Sequence, residues 1–236
     1  MSIWVRIGEF VTSVTSNAIS GVIEAVRTVF EGDADTRRRV AFSIAMIALS
    51  AKMAKADGVV TQDEIRAFQD IFSVPKEEIA HVARLYDLAR QDVAGFETYA
   101  RQLAGLCAEG QAQCHLLEDI LDGLFHIAKA DGYVHEKELA FLSSVADIFG
   151  YDEAGFDHIA IRHMVRGESD PYAILGIDRG ASFEEARKRY RSLVKEHHPD
   201  RLVAEGLPLE FITIANARLA VINAAWASIE KQLETA

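Results

Sequence analysis

Apolar residues recur along this chain at helical spacing, and strand-like alternation is scarce. Ile3, Trp4, Ile7, Phe10, Val11, Val14, Ala18, Val22, Val26, Val29 and Phe30 make one stripe over residues 1–31, with Ser and Thr punctuating the other side. Residues 40–51 carry no charge and predict a buried helix. Helical spacing returns over residues 76–117 at Ile79, Val82, Ala83, Tyr86 and Leu88, then at Phe96, Tyr99, Leu103 and Leu106, until Glu109-Gly110-Gln111 suggests a turn. Near the end, Ala186, Tyr190, Leu193, Val194 and His197 form a stripe. Pro208 then opens a long helix with Phe211, Ile214, Ala215, Leu219, Ile222, Trp226, Ile229 and Leu233 on its apolar side. The pattern predicts an all-α protein.

Start and stop signals sharpen the C-terminal part. Ser182 and Glu185 have capping-box spacing at the head of the helix that carries the first of these stripes. Asp170 is placed to cap a short helix, with Pro171 at its first position and Gly176 at its stop. Pro199 lacks an N–H and biases His198 away from the helical region, so the helix must end there. On that helix Arg187, Arg191 and Lys195 share a face away from the apolar stripe, with Lys188 beside them. A cationic face thus runs into His198-Pro199-Asp200.

An internal repeat organises the middle of the chain. Ala54-Lys55-Ala56-Asp57-Gly58, followed by Val60, Glu64 and Ile65, returns as Ala128-Lys129-Ala130-Asp131-Gly132, followed by Val134, Glu138 and Leu139. Each copy then reaches Asp-Ile-Phe, at 70–72 and 147–149. Two helix–turn–helix units packed face to face would bury a shared core. Glycine suits the left-handed stop of the first helix, and the glutamate falls in the first turn of the next. An ordinary calcium-binding EF-hand loop is excluded, because its first and third places hold Met53 and Lys55 in one copy and Ile127 and Lys129 in the other. Asp57, Glu64, Asp131 and Glu138 either cap helices and pair with Lys55 and Lys129 or converge on a hard divalent cation.

Composition narrows the function classes. The chain has 236 residues, half of them hydrophobic, and a net charge of −11, which disfavours non-specific nucleic-acid binding by the whole molecule. A helix–turn–helix reading of the basic stretch also fails, since the loop between the two long helices is too long for that motif. Cys107 and Cys114 have neither C-x-x-C spacing nor further partners, so a reduced, buried pair is expected. No signal-peptide pattern leads the chain. The uncharged run 10–23 is too short and polar to span a bilayer, which needs about 20 apolar residues, so no transmembrane helix is expected. Residues 1–31 are left with three uses: docking on the protein's own core, self- or partner association, or peripheral membrane contact through Trp4 and Phe10. No Ser, Cys or His set of a hydrolase and no glycine-rich phosphate loop is visible, so the chain is not expected to be an enzyme.

Three segments, D-P-Y-x-I-L-G-I from Asp170, Y-R-x-L-V-K-x-H-H-P-D-R from Tyr190 and I-N-A-A-W from Ile222, stand in the order and spacing of a J domain. Residues 166–236 therefore resemble the J domain of DnaJ-type co-chaperones, with a helical hairpin and His198-Pro199-Asp200 between its arms. The doubled Asp-Gly turn resembles a TerB-like (tellurite-resistance B) helical domain, assigned to residues 32–165. Residues 1–31 precede it, and the polar stretch 166–170 reads as the linker. This order is similar to the DjlA type of DnaJ-like protein, whose usual N-terminal membrane anchor has no counterpart in residues 1–31.

The resemblance implies a co-chaperone that binds a DnaK-type ATPase chaperone and stimulates its ATP hydrolysis. His198, Pro199 and Asp200 would act as the trigger, with Arg187 and Arg191 meeting an acidic surface. Ser192 departs from the basic residue often found at its position. Client proteins, unfolded or specific, are implied as further partners, and the cytoplasm, or the cytoplasmic face of the membrane, as the location. The TerB-like domain would supply targeting or regulation. Asp57, Glu64, Asp131 and Glu138 are the suspected metal ligands by the same resemblance, although no cofactor is required for the J domain. A metal-responsive stress module with the J domain secondary is the alternative.

Overall fold

The computed structural model describes residues 3–13, 34–57, 62–72, 74–91, 95–105, 115–163, 170–204 and 212–234. Among these every regular element is a helix, as the periodicity predicts. The chain divides into two compact units, Met1–Tyr151 and Asp152–Ala236. Cys107 and Cys114 lie outside the described residues, as does the stretch 166–170 apart from Asp170.

The first unit is built around α2 (Ala34–Asp57), which packs against α1 (Ile3–Ser13), α4 (Ile79–Gln91), α5 (Phe96–Ala104), α6 (His115–Ala128) and α7 (Glu136–Ile148). From Phe42 to Ala54 every side of α2 is buried, which is why apolar residues fall on all its faces rather than in one stripe. Lys52 is tolerated there with its ammonium 5.6 Å from the centre of the Tyr99 ring. α3 (Gln62–Phe72) packs on α6, and both Asp-Ile-Phe sequences fall at helix ends, closing α3 and α7.

The described part of the amino-terminal stripe docks on this unit. Trp4 and Ile7 are buried, and Trp4 meets Phe72 edge-on with ring centroids 6.0 Å apart. Gly8 lets α1 approach α4, since a Cβ there would meet His81 Nδ1 at 2.7 Å. Trp4 is therefore a core residue and not an interfacial anchor. Phe10 and residues 14–33 give no side-chain description.

The second unit begins with α8 (Glu153–Ala160), capped by Asp152, whose Oδ1 accepts from the Gly155 N–H at 2.9 Å. Then follow α9 (Pro171–Leu175), α10 (Phe183–Glu196), α11 (Pro199–Ala204) and α12 (Ile212–Glu234). α10 and α12 form the hairpin, and Tyr172, Leu175, Ala186, Leu193, Ile222, Trp226 and Ile229 form its core. Ile161 packs against that core from the turn after α8. The α9 signals act as written: Asp170 Oδ1 accepts from the Tyr172 N–H at 3.1 Å, and Gly176 adopts φ 65°. By length and composition alone, Ile212–Leu233 would suffice to cross a membrane. Its apolar side, with Ile214, Ala215, Ile222, Ala225 and Ile229 buried, faces the protein's own core.

Candidate functional site

Helix α10 presents the basic face because its other side is committed to packing. Ser182 and Glu185 fix its start reciprocally: the Ser182 N–H donates to Glu185 Oε2 at 2.8 Å, and the Glu185 N–H donates to Ser182 Oγ at 3.3 Å. The Ser182 hydroxyl also donates to Glu185 Oε2 at 2.7 Å, and the backbone and hydroxyl bonds from Ser182 hold the Glu185 carboxyl below its usual range. Ala186 and Leu193 are buried, whereas Arg187, Lys188, Arg191 and Lys195 are exposed.

Arg189 does not join the basic face. Its Nε donates to the Leu175 carbonyl at 3.1 Å and its Nη1 lies 3.7 Å from Glu196 Oε2, so it ties the end of α9 to α10. Ser192 donates to Glu196 Oε1 on the next turn, which gives that departure from a basic residue a local use.

The His-Pro-Asp trio sits at a junction of two helices. α10 ends with His197 as its C-cap, and Pro199 occupies the first position of α11. Proline both stops one helix and starts the next, because its missing N–H and fixed φ suit a first helical position. The trio therefore does not lie in an irregular loop. His198 is half exposed, and Asp200 is 93% exposed. The Asp200 N–H donates to His198 Nδ1 at 3.2 Å, which makes Nδ1 the acceptor and puts the proton of the neutral ring on Nε2.

The helical turn after Pro199 puts Asp200 Oδ2 3.8 Å from His198 Nδ1, beyond hydrogen-bond distance and open to water. Tyr190, Arg191, Val194, Lys195, His198, Asp200 and Arg201 line one shallow depression of about 500 Å³. Arg191, His198 and Asp200 are thus brought together, Pro199 lies half-buried between the last two, and Arg187 stands one turn back along α10.

Periodicity missed the layer beneath the trio. His197 was read as one more member of the apolar stripe. It is 4% exposed and accepts at Nδ1 from Arg218 Nη1 of α12, 2.9 Å away. Arg218, 3% exposed, breaks the apolar pattern of α12, and that break is its only trace in the sequence.

The repeated turn of the first unit is described in its second copy. Gly132 adopts φ 116°, and its N–H donates to the Lys129 carbonyl at 3.0 Å. Asp131 Oδ2 lies 2.9 Å from His135 Nε2, and Asp131 Oδ1 accepts from the Tyr133 N–H at 3.4 Å. The His135 bond is the main reason the Asp131 carboxyl is held below its usual range. Buried Glu138 accepts from the His135 N–H at 2.9 Å and so caps α7.

Both carboxylates thus engage His135, Asp131 through its ring and Glu138 through its backbone N–H. The Lys129 pKa is lowered chiefly by burial, with Asp122 opposing. Asp57 ends α2 and Glu64 lies in the first turn of α3, but their side chains are outside the description. Among the described residues no three His, Cys, Asp or Glu side chains converge as a metal site. The two described carboxylates fit helix capping, with oxygens already taken by the turn.

The chain matches two family models in the order these units stand: tellurite resistance protein TerB over residues 43–161 and the DnaJ domain over residues 170–226. It is 29% identical over 224 residues to the Co-chaperone protein DjlA of Photobacterium profundum, covering 83% of this chain and 79% of that one. It is likewise 29% identical over 221 residues to the Co-chaperone protein DjlA of Shewanella oneidensis, covering 85% and 81%. The protein of the same name from Coxiella burnetii is 29% identical over 203 residues, covering 76% and 73%. No solved structure matches. The chain belongs to the TerB family, in the DjlA-type arrangement that follows a TerB domain with a C-terminal DnaJ domain.

Proposed function

We propose that this protein is a co-chaperone whose second unit binds a DnaK-type ATPase chaperone and stimulates its ATP hydrolysis. The observation that carries the reading is the single depression shared by Arg191, Lys195, His198 and Asp200. Asp200 and the four cations of the α10 face are exposed around it. Such a surface suits an acidic partner: the cations steer encounter, and the His198 imidazole and the Asp200 carboxylate supply directional contacts at close range. The relatives that share both domains are named co-chaperones, which supports the same reading. The first unit would then supply targeting or regulation, with unfolded or specific client proteins as further partners.

A steady-state ATPase assay with a DnaK-type chaperone tests this. Wild type is expected to raise the hydrolysis rate, and His198→Gln to lose that effect while keeping its helical signal. No stimulation by wild type, or equal stimulation by the variant, sinks the reading.

A further inference from the structure

The residue immediately before the trio is not exposed with it. His197 caps α10 through its N–H to the Leu193 carbonyl at 2.9 Å, and its ring turns into the unit, where Arg218 Nη1 meets Nδ1 at 2.9 Å. A guanidinium can only donate, so Nδ1 is the acceptor and the ring proton resides on Nε2. Burying an arginine and an imidazole costs more than burying two apolar side chains of similar volume. Neither group can contact a partner, at 3% and 4% exposure. Their bond runs from the second turn of the hairpin's second arm to the backbone joint from which His198 hangs.

We infer that Arg218 is a positioning residue for the trigger. It acts through His197, fixing the ring's tautomer and with it the direction in which α10 hands over to His198-Pro199-Asp200. The inference rests on the chaperone-stimulating function proposed above. It assigns the pair to the geometry of the trio rather than to partner recognition by Arg187 and Arg191. Loss of Arg218 should therefore lower the maximal stimulation and leave the half-saturating concentration nearly unchanged.

The test is a double-mutant cycle in the full chain: Arg218→Met, His197→Phe and both together, with Arg218→Lys as the conservative variant. Wild type and His198→Gln serve as references. ATPase stimulation is titrated to saturation, and ring-nitrogen NMR reads the His197 tautomer. Arg218→Met should lower maximal stimulation about tenfold, the scale expected when a reacting group is misplaced by a fraction of an ångström. It should also release the Nε2–H tautomer to a mixture. Arg218→Lys should restore most of both. In the His197→Phe background Arg218→Met should have no further effect. The double variant removes both polar groups together, so it keeps the unit folded if the single variant does not.

Full maximal stimulation by Arg218→Met overturns the inference, as does an equal loss with and without His197. No stimulation by wild type overturns the proposed function and the positioning role together. An inactive Arg218→Met beside an active wild type leaves the function standing.

Discussion

Tyr190 lies flat against Trp226, with ring centroids 5.1 Å apart and planes 10° from parallel. The Tyr190 hydroxyl continues across the hairpin to donate to Asn223 Oδ1 at 3.1 Å, and Phe183 leans on the same indole at 5.6 Å. One indole thus holds two turns of α10 against α12. Trp226→Ala should cost the second unit about 3–5 kcal/mol. Denaturant titration followed by circular dichroism checks this. Trp4 and Trp226 are the only tryptophans of the chain, one in each unit, so in Trp226→Ala any remaining indole fluorescence comes from the first unit and the helical signal must follow the second.

Arg187→Ala and Arg191→Ala should leave stability within about 0.5 kcal/mol of wild type, since both side chains are exposed. Their effect is expected on chaperone association. Stopped-flow measurements should show slower association in both variants, a weaker dependence of the rate on salt, and little change in dissociation.

Gly132 holds φ 116° with open space where a Cβ would stand, so replacement strains the backbone without a clash. Gly132→Ala should destabilise the first unit by about 1–3 kcal/mol, the usual cost of a sparsely populated backbone region. A Trp226→Phe background lets Trp4 fluorescence read that loss during urea unfolding.

Asp131 gives the first unit a pH dependence with a definite sign. Its carboxyl is held below the ordinary value, so its contribution is present above about pH 4 and is lost as pH falls through the depressed value. Unfolding free energies at pH 5 and pH 3 should differ less in Asp131→Asn than in wild type. In His135→Ala the Asp131 carboxyl should titrate closer to an unperturbed aspartate by NMR.

Calorimetry with calcium, magnesium, manganese and zinc distinguishes capping from cation binding at the twin turns. With Asp131 and Glu138 spent on His135, no binding heat is expected. Heat that disappears in Asp57→Ala/Asp131→Ala would assign the carboxylates to a cation instead.

Local chemistry was the legible part of this fold. The Ser182–Glu185 box, the Asp170 cap, the left-handed Gly132 and Gly176, and the apolar faces of α10 and α12 are each encoded within a few residues, where spacing carries the information. Relations between distant residues were not legible. Periodicity places His197 on the buried side but cannot show that a guanidinium 21 residues later donates to it. Similarly, the repeat singled out Asp131 and Glu138, yet their shared neighbour His135 replaces Thr61 of the first copy and so fell outside the pattern. α11 is not legible in the sequence, because six residues are too few to show a period and Pro199 signals a stop as readily as a start.

The placement of Pro199 and Asp200 inside the first turn of α11 bears on the entropy of binding. A recognition sequence in a free loop must be ordered when it is gripped, at about 1–2 kcal/mol for each residue fixed. Here the end of one helix and the beginning of another have already met that cost during folding. A partner that engages these side chains meets a rigid joint, so a larger share of its contact energy remains to act on the partner itself.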